Sequence, residues 1–189
     1  MALKMKVLVT HITNLTEARY CAGMEVDFLG FPAGMLEAAQ VRDIRAWVVG
    51  PSFWIDVHDR TEMLHHPNDE GYILSYPLAA DLAKANTLPA RWMVGLTAAQ
   101  VPDLLAHAWR PDYVLLADPA ASPSGVITEL CQRYPVLIFA EDEEAVARAG
   151  TCGAQGIYLL GDDELRPGLR DFDFLSRMFE VLEKAEEEG

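Results

Sequence analysis

A compact (β/α)8 barrel of the TIM type, forming one domain over 1–189, is the fold class that the sequence predicts. Three observations lead there. Short apolar runs alternate with helical patterns along the chain. Eight such pairs with brief connections suit a parallel sheet closed on itself, with helices outside. The length, 189 residues, supplies one substantial core and is short for two. Barrels of this kind usually take about 250 residues, so the loops here must be short. An open doubly wound sheet is the alternative; it needs a reversal of strand order that the sequence does not show.

The strands are expected near Lys6–Val9, Asp27–Phe31, Phe53–Val57, Tyr72–Ser75, Trp92–Gly95, Tyr113–Ala117, Val136–Ala140 and Ile157–Leu160. Asn14 and Glu17 have the spacing of a capping box for the first helix, and Thr97 and Gln100 repeat it for the fifth. Asp142 can cap the seventh helix and Asp171 the last, where Phe172, Leu175, Phe179 and Leu182 make an apolar stripe. The third unit is the least defined. Trp47-Val48-Val49 competes with Phe53–Val57 for its strand, and the helix near Arg60–His66 must stop at Pro67.

Fifteen basic residues face 29 acidic ones, a formal charge of −14. Such a surface repels nucleic acid and anionic lipid, so neither is an expected partner. No apolar run approaches the roughly 20 residues of a membrane helix. The opening Met1-Ala2-Leu3-Lys4-Met5-Lys6 leads into a strand and carries no secretory pattern. Cys21, Cys131 and Cys152 lack metal-ligand spacing, and their odd number argues against a complete disulfide set. A cytoplasmic protein with reduced thiols, monomeric or homodimeric, is expected.

The most informative stretch is His11-Ile12-Thr13-Asn14-Leu15-Thr16-Glu17-Ala18-Arg19-Tyr20-Cys21-Ala22-Gly23, running into Val26-Asp27-Phe28-Leu29-Gly30-Phe31. It resembles the opening of phosphoribosylanthranilate isomerase, the aldose–ketose isomerase of tryptophan biosynthesis. That family typically begins Lys-x-Cys-Gly-Ile-Thr and continues through an Ala-Gly-Ala-Asp-x-Leu-Gly-Phe strand. Near the other end, Gly156-Ile157-Tyr158-Leu159-Leu160-Gly161 and Arg166-Pro167-Gly168-Leu169-Arg170-Asp171 are similar to the family's last strand and its Ser-Pro-Gly-x-Lys-Asp segment. Pro135-Val136-Leu137-Ile138-Phe139-Ala140 is similar to its seventh strand. The resemblance implies a barrel with a Cys base, an Asp acid and Gly-rich phosphate loops at the strand C-termini. No cofactor is expected.

Departures from that pattern fall on the chemistry. Thr10 stands where the family has its Cys, and His11 replaces the following Gly. Asp118 matches the family's acid only if one residue is inserted in Leu115-Leu116-Ala117-Asp118. The phosphate loop after the sixth strand reduces to Ser122-Pro123-Ser124-Gly125, leaving Ser124 and Gly125 as its candidate ligands. The loop Pro32-Ala33-Gly34-Met35 has no Arg. After the seventh and eighth strands, Glu141-Asp142-Glu143-Glu144 and Gly161-Asp162-Asp163-Glu164 set acids where a phosphate would bind. Two like unit charges about 4 Å apart cost about 4 kcal/mol at a surface-like dielectric. Phosphate binding at that position is therefore expected to be lost or severely weakened.

Thr10 is a poor base without an activating partner, and a small polar strand-end residue is the preferred reading. His11 titrates in a useful range and could pair with Asp118 for proton transfer, although local packing is the plainer role. Asp56 and His58 lie on one face of the third strand. With His11, Asp118, Glu141 and Asp162 they could offer N and O ligands to a metal, but no compact motif supports one. A solvated acidic rim is preferred, and no metal is expected.

The catalytic candidates are thus His11, Asp118 and Thr10. The ligand-binding candidates are Asp56, His58, Ser124, Gly125, Glu141, Gly161 and Asp162. The leading expectation is a diverged isomerase-like barrel that lacks efficient parent activity and serves as a binding or regulatory protein, or acts on a changed small ligand. A working isomerase with an altered site is the second reading. A metal-dependent lyase or hydrolase is the third.

Overall fold

The computed structural model describes residues 5–67, 70–121, 124–161 and 172–187. Its strands are β1 (Lys6–Thr10), β2 (Phe28–Pro32), β3 (Ser52–Val57), β4 (Tyr72–Ser75), β5 (Trp92–Leu96), β6 (Tyr113–Leu116), β7 (Val136–Phe139) and β8 (Gly156–Leu160). The helices that follow them are α1 (Leu15–Gly23), α2 (Ala38–Arg45), α3 (Arg60–His65), α4 (Tyr76–Lys84), α5 (Val101–Ala106), α6 (Ser124–Arg133), α7 (Glu143–Cys152) and α8 (Asp173–Glu187). The strands pair in parallel, in chain order, and the sheet closes on itself. Closure is complete at the seam, where Lys6 to Thr10 pair with Gly156 to Leu160. The fold is the expected (β/α)8 barrel, not an open sheet.

Each strand is buried on both faces, so it reads as a near-continuous apolar run. Inward side chains alternate with outward ones. Leu8, Phe28, Trp54, Ile73, Met93, Leu115 and Leu137 fill the barrel, with Tyr113 and Tyr158 against them. Their neighbours, such as Val7, Leu29, Phe53, Val94 and Ile138, pack outward under the helices. Phe53–Val57 belongs to β3, whereas Trp47 and Val49 are 72% and 92% exposed in the preceding loop. Only Val48 of that apolar triplet turns into the core.

The caps fix where helices leave the barrel rim. Asn14 accepts the Glu17 N–H at 2.9 Å. The Glu17 carboxylate reaches the Thr13 N–H at 3.1 Å, one residue earlier than in a capping box. Asp142 accepts the Ala145 N–H at 2.8 Å. Gln100 accepts the Thr97 N–H at 2.9 Å, closing a 3-10 turn that feeds α5. Asp171 lies outside the described residues. In α8, Leu175, Phe179 and Leu182 are buried, and Tyr20 of α1 stacks on Phe172 at 4.4 Å.

At the N-terminal end of the barrel one device occurs three times. A carboxylate just before one strand accepts a backbone N–H from the start of the previous strand and pairs with a cation. Asp27 holds the Val7 N–H and Lys6. Glu70 holds the Phe53 N–H and Arg45. Asp112 holds the Trp92 N–H and Arg91. Three of the chain's cations are thereby committed to the end opposite the strand C-termini. Among the described residues no helix is long and apolar enough to cross a membrane.

Candidate functional site

Parallel strands all end at one rim, and functional groups of this fold gather there. Two residues beyond each interior side chain lies the last inward position. These positions hold Thr10 on β1, Gly30 on β2, Asp56 on β3, Ser75 on β4 and Gly95 on β5. Together with His11, Tyr158 and Leu160, all of these except Gly30 line a cavity of about 230 Å³, whose apolar wall includes Ile73 and Leu115. Gly30 opens no space, because Ile73 and Thr10 already close over it. A larger depression of about 650 Å³ lies between the β2–α2 loop and α3. Its carboxylates serve the helix: Asp59 caps the Glu62 N–H and Glu62 accepts the His58 N–H. The barrel mouth is therefore the better candidate.

Thr10 is 5% exposed, and its hydroxyl donates to the Leu159 carbonyl at 3.2 Å. His11 takes a left-handed backbone, φ 62°, which turns the chain out of β1 at the mouth. Asp56 is half-buried in the cavity wall. Burial pushes its carboxyl above the ordinary range, against the favourable charges of His58 and His11 and with a smaller push from Glu62. No described residue donates a hydrogen bond to the Asp56 carboxylate, nor does one engage the Ser75 hydroxyl, the Tyr158 phenol or the His11 imidazole.

The other candidates stand apart from the cavity. Asp118 is half-buried just beyond β6, and its carboxylate accepts the Ala98 N–H at 2.6 Å. His58 and Glu141 are exposed, and neither contributes to the cavity wall. Gly125 lies exposed in the first turn of α6, beside Ser124 at the helix start. Gly161 donates its N–H to the Thr10 carbonyl at 2.7 Å. A side chain there would overlap the buried Glu17 carboxylate, at 2.4 Å. Asp162 lies outside the described residues. Among the described residues no group of three or more His, Cys, Asp or Glu could hold a metal ion.

Tyr158 and Ser75 are the polar groups of the cavity wall that sequence reasoning did not single out. Burial raises the Tyr158 phenol first, and the Asp118 and Asp56 carboxylates raise it further. It therefore stays a neutral hydrogen-bond donor across ordinary pH. Period-two counting from the end of β8 could have flagged it, but its Ile157-Tyr158-Leu159 context reads as plain core. Ser75 occupies the N-cap position of α4 yet makes no cap bond.

No family model matches this chain, and no curated protein is significantly similar to it in sequence. Solved structures are similar over nearly its whole length. The phosphoribosylanthranilate isomerase of Thermotoga maritima superposes with a TM-score of 0.72 at 12% identity, covering 95% of this chain and 99% of that one. The TrpF protein of Jonesia denitrificans gives 0.69 at 18% identity, covering 95% and 97%. The phosphoribosylanthranilate isomerase of Thermus thermophilus gives 0.69 at 15%, covering 96% and 100%. The chain is thus built, almost end to end, on the barrel fold that the phosphoribosylanthranilate isomerases share.

Proposed function

We propose that the protein is a diverged phosphoribosylanthranilate isomerase-like barrel that has lost efficient parent activity and binds a small polar molecule at its mouth, in a binding or regulatory role. One observation carries this reading. Both positions matched to the family's proton-transfer groups are engaged by the backbone. The Thr10 hydroxyl is tied to the Leu159 carbonyl, and the Asp118 carboxylate to the Ala98 N–H. A base must reach the proton that it removes, and a hydroxyl donating to a backbone oxygen has no activating partner. The three cysteines are free, which fits a reducing compartment, and we place the protein in the cytoplasm as a monomer or homodimer.

An altered isomerase is the second reading, favoured by His11, whose imidazole opens onto the cavity. An assay of purified protein with phosphoribosylanthranilate separates the two. General acid and base groups contribute about 10²–10⁴-fold each. The expected kcat/KM lies at least about 100-fold below the roughly 10⁴–10⁸ M⁻¹s⁻¹ of working enzymes. Turnover within that range overturns the reading, and His11→Ala and Asp118→Asn would then identify the groups responsible.

A further inference from the structure

We infer that the barrel mouth is a site for a small organic cation, an amine or guanidine, with Asp56 as its counter-ion. The inference deepens the binding role proposed above and rests on it. Four polar groups converge on the cavity without a described hydrogen-bond partner: the Asp56 carboxylate, the His11 imidazole, the Ser75 hydroxyl and the Tyr158 phenol. They differ in this from Thr10 and Asp118, whose side chains are engaged by the backbone. A half-buried carboxylate with no partner is costly, and buried charges are ordinarily paired. A ligand cation would supply the hydrogen-bonded partner that the described residues do not.

The sign of that ligand follows from the surroundings. Among the described residues no Lys or Arg lines the cavity. Lys6, Arg45 and Arg91 are held by carboxylates at the opposite end of the barrel. Asp56 and Asp118 both act on the Tyr158 phenol, so their negative potential converges within the mouth. A phosphate or carboxylate entering there would meet it with only the His11 and His58 imidazoles nearby to oppose it, whereas an ammonium or guanidinium would form a charge-assisted hydrogen bond to Asp56. The Ser75 and Tyr158 hydroxyls can serve neighbouring polar atoms of the ligand. The remaining wall is Ile73, Leu74, Leu115 and Leu160, which suits a short apolar body behind the charged head. A cavity of about 230 Å³ falls below the roughly 300–1,000 Å³ of drug-sized sites, so the ligand is small.

The test uses a series of matched shape and different charge: phenethylamine, 2-phenylethanol and 3-phenylpropionate, with agmatine as the guanidine probe. Binding to the full chain is measured by calorimetry and ligand-observed NMR at pH 7.5 and low salt. Phenethylamine or agmatine is expected to bind at least about tenfold more tightly than the alcohol, a difference of about 1.4 kcal/mol. The propionate is expected not to bind. Asp56→Asn should erase the preference for the cation without lowering the melting temperature, which separates loss of the site from loss of the fold. Equal affinity for amine and alcohol, tighter binding of the propionate, absence of binding by either cation, or an undiminished preference in Asp56→Asn overturns the inference. None of these results depends on turnover of phosphoribosylanthranilate, which tests the broader reading separately.

Discussion

His11 and Asp56 are the two residues at which the mouth departs most from a structure optimised for stability. A non-glycine residue in the left-handed region costs of order 1–2 kcal/mol, and His11 stands at φ 62° where the resemblance would put glycine. Returning glycine should relieve that strain, offset in part by its greater freedom in the unfolded chain. His11→Gly is expected to gain up to about 1 kcal/mol in urea unfolding, while His11→Ala, which keeps the strain, gains nothing. Equal stability of the two variants would show that the imidazole, not the backbone, sets the cost. Asp56 gives a pH signature. Its carboxyl is raised by burial, so between its ordinary and raised values the native chain holds a proton that the unfolded chain has released. Stability therefore falls as pH rises through that window, and the penalty is full above the raised value. Asp56→Asn should raise the melting temperature at pH 7 by about 2–4 °C, the shift expected from roughly 1 kcal/mol, with the gain vanishing below the window. Calorimetry from pH 3.5 to 7.5 checks the sign, and a lower melting temperature for the variant at pH 7 would contradict it. At this scale the sequence was only partly legible. His11 and Asp56 could be singled out because a His or Asp at a strand end is conspicuous. Tyr158 could not, because an aromatic between Ile157 and Leu159 is what a buried strand contains anyway.

At the scale of elements the reading was easier, because each strand is a short apolar run between a capping signal and a helix. Asn14 and Asp142 act as the caps their spacing suggests, since a short acceptor before the first turn has few other uses. The third unit was harder. Trp47-Val48-Val49 has strand-like residues, but its position directly after α2 leaves it in a loop with only Val48 inside. The carboxylates that tie strand starts at the barrel floor were not legible, because Asp27, Glu70 and Asp112 look like ordinary turn residues until the sheet brings them to the previous strand. The seam between β8 and β1 depends on a single small residue. A Cβ on Gly156 would come within 1.8 Å of the Lys6 carbonyl oxygen, a backbone atom in the closing ladder that can shift only by parting the strands. Gly156→Ala should therefore cost at least about 2 kcal/mol. Asp142→Ala should cost about 1 kcal/mol, the usual loss of one cap. Urea unfolding of the two variants side by side measures both. A Gly156→Ala protein as stable as the parent would mean that the seam tolerates a wider spacing than the register implies.

For the whole molecule the fold was legible and the chemistry of the mouth was not, for one reason. A barrel is specified by many repeated, redundant features, whereas its chemistry depends on a few side chains whose partners come from distant strands. In sequence Thr10 reads as a small polar strand-end residue first and a weak substitute for a base second, and only the closed sheet sets its hydroxyl against the Leu159 carbonyl. The charge distribution has the same character. The net value of −14 is a sum over the chain, while the pairing of Lys6, Arg45 and Arg91 at one end is a property of the closed barrel. A net charge far from zero destabilises the compact state through self-repulsion, which salt screens over a Debye length of about 10 Å at 0.1 M. The attractive pairs work in the opposite direction. Lys6, Arg45 and Arg91 belong to three partly exposed pairs, and such pairs contribute only about 0–1 kcal/mol each. With twenty-nine acidic residues against fifteen basic ones, repulsion outweighs these attractions. The melting temperature should therefore rise as sodium chloride is increased from about 0.01 to 0.5 M, a range over which the Debye length contracts from about 30 Å to a few ångströms. A matched series at constant ionic strength with sulfate in place of chloride separates screening from the general effect of an excluded salt. If the melting temperature fell across the chloride series, the ion pairs at the barrel floor would outweigh the self-repulsion of the acidic surface.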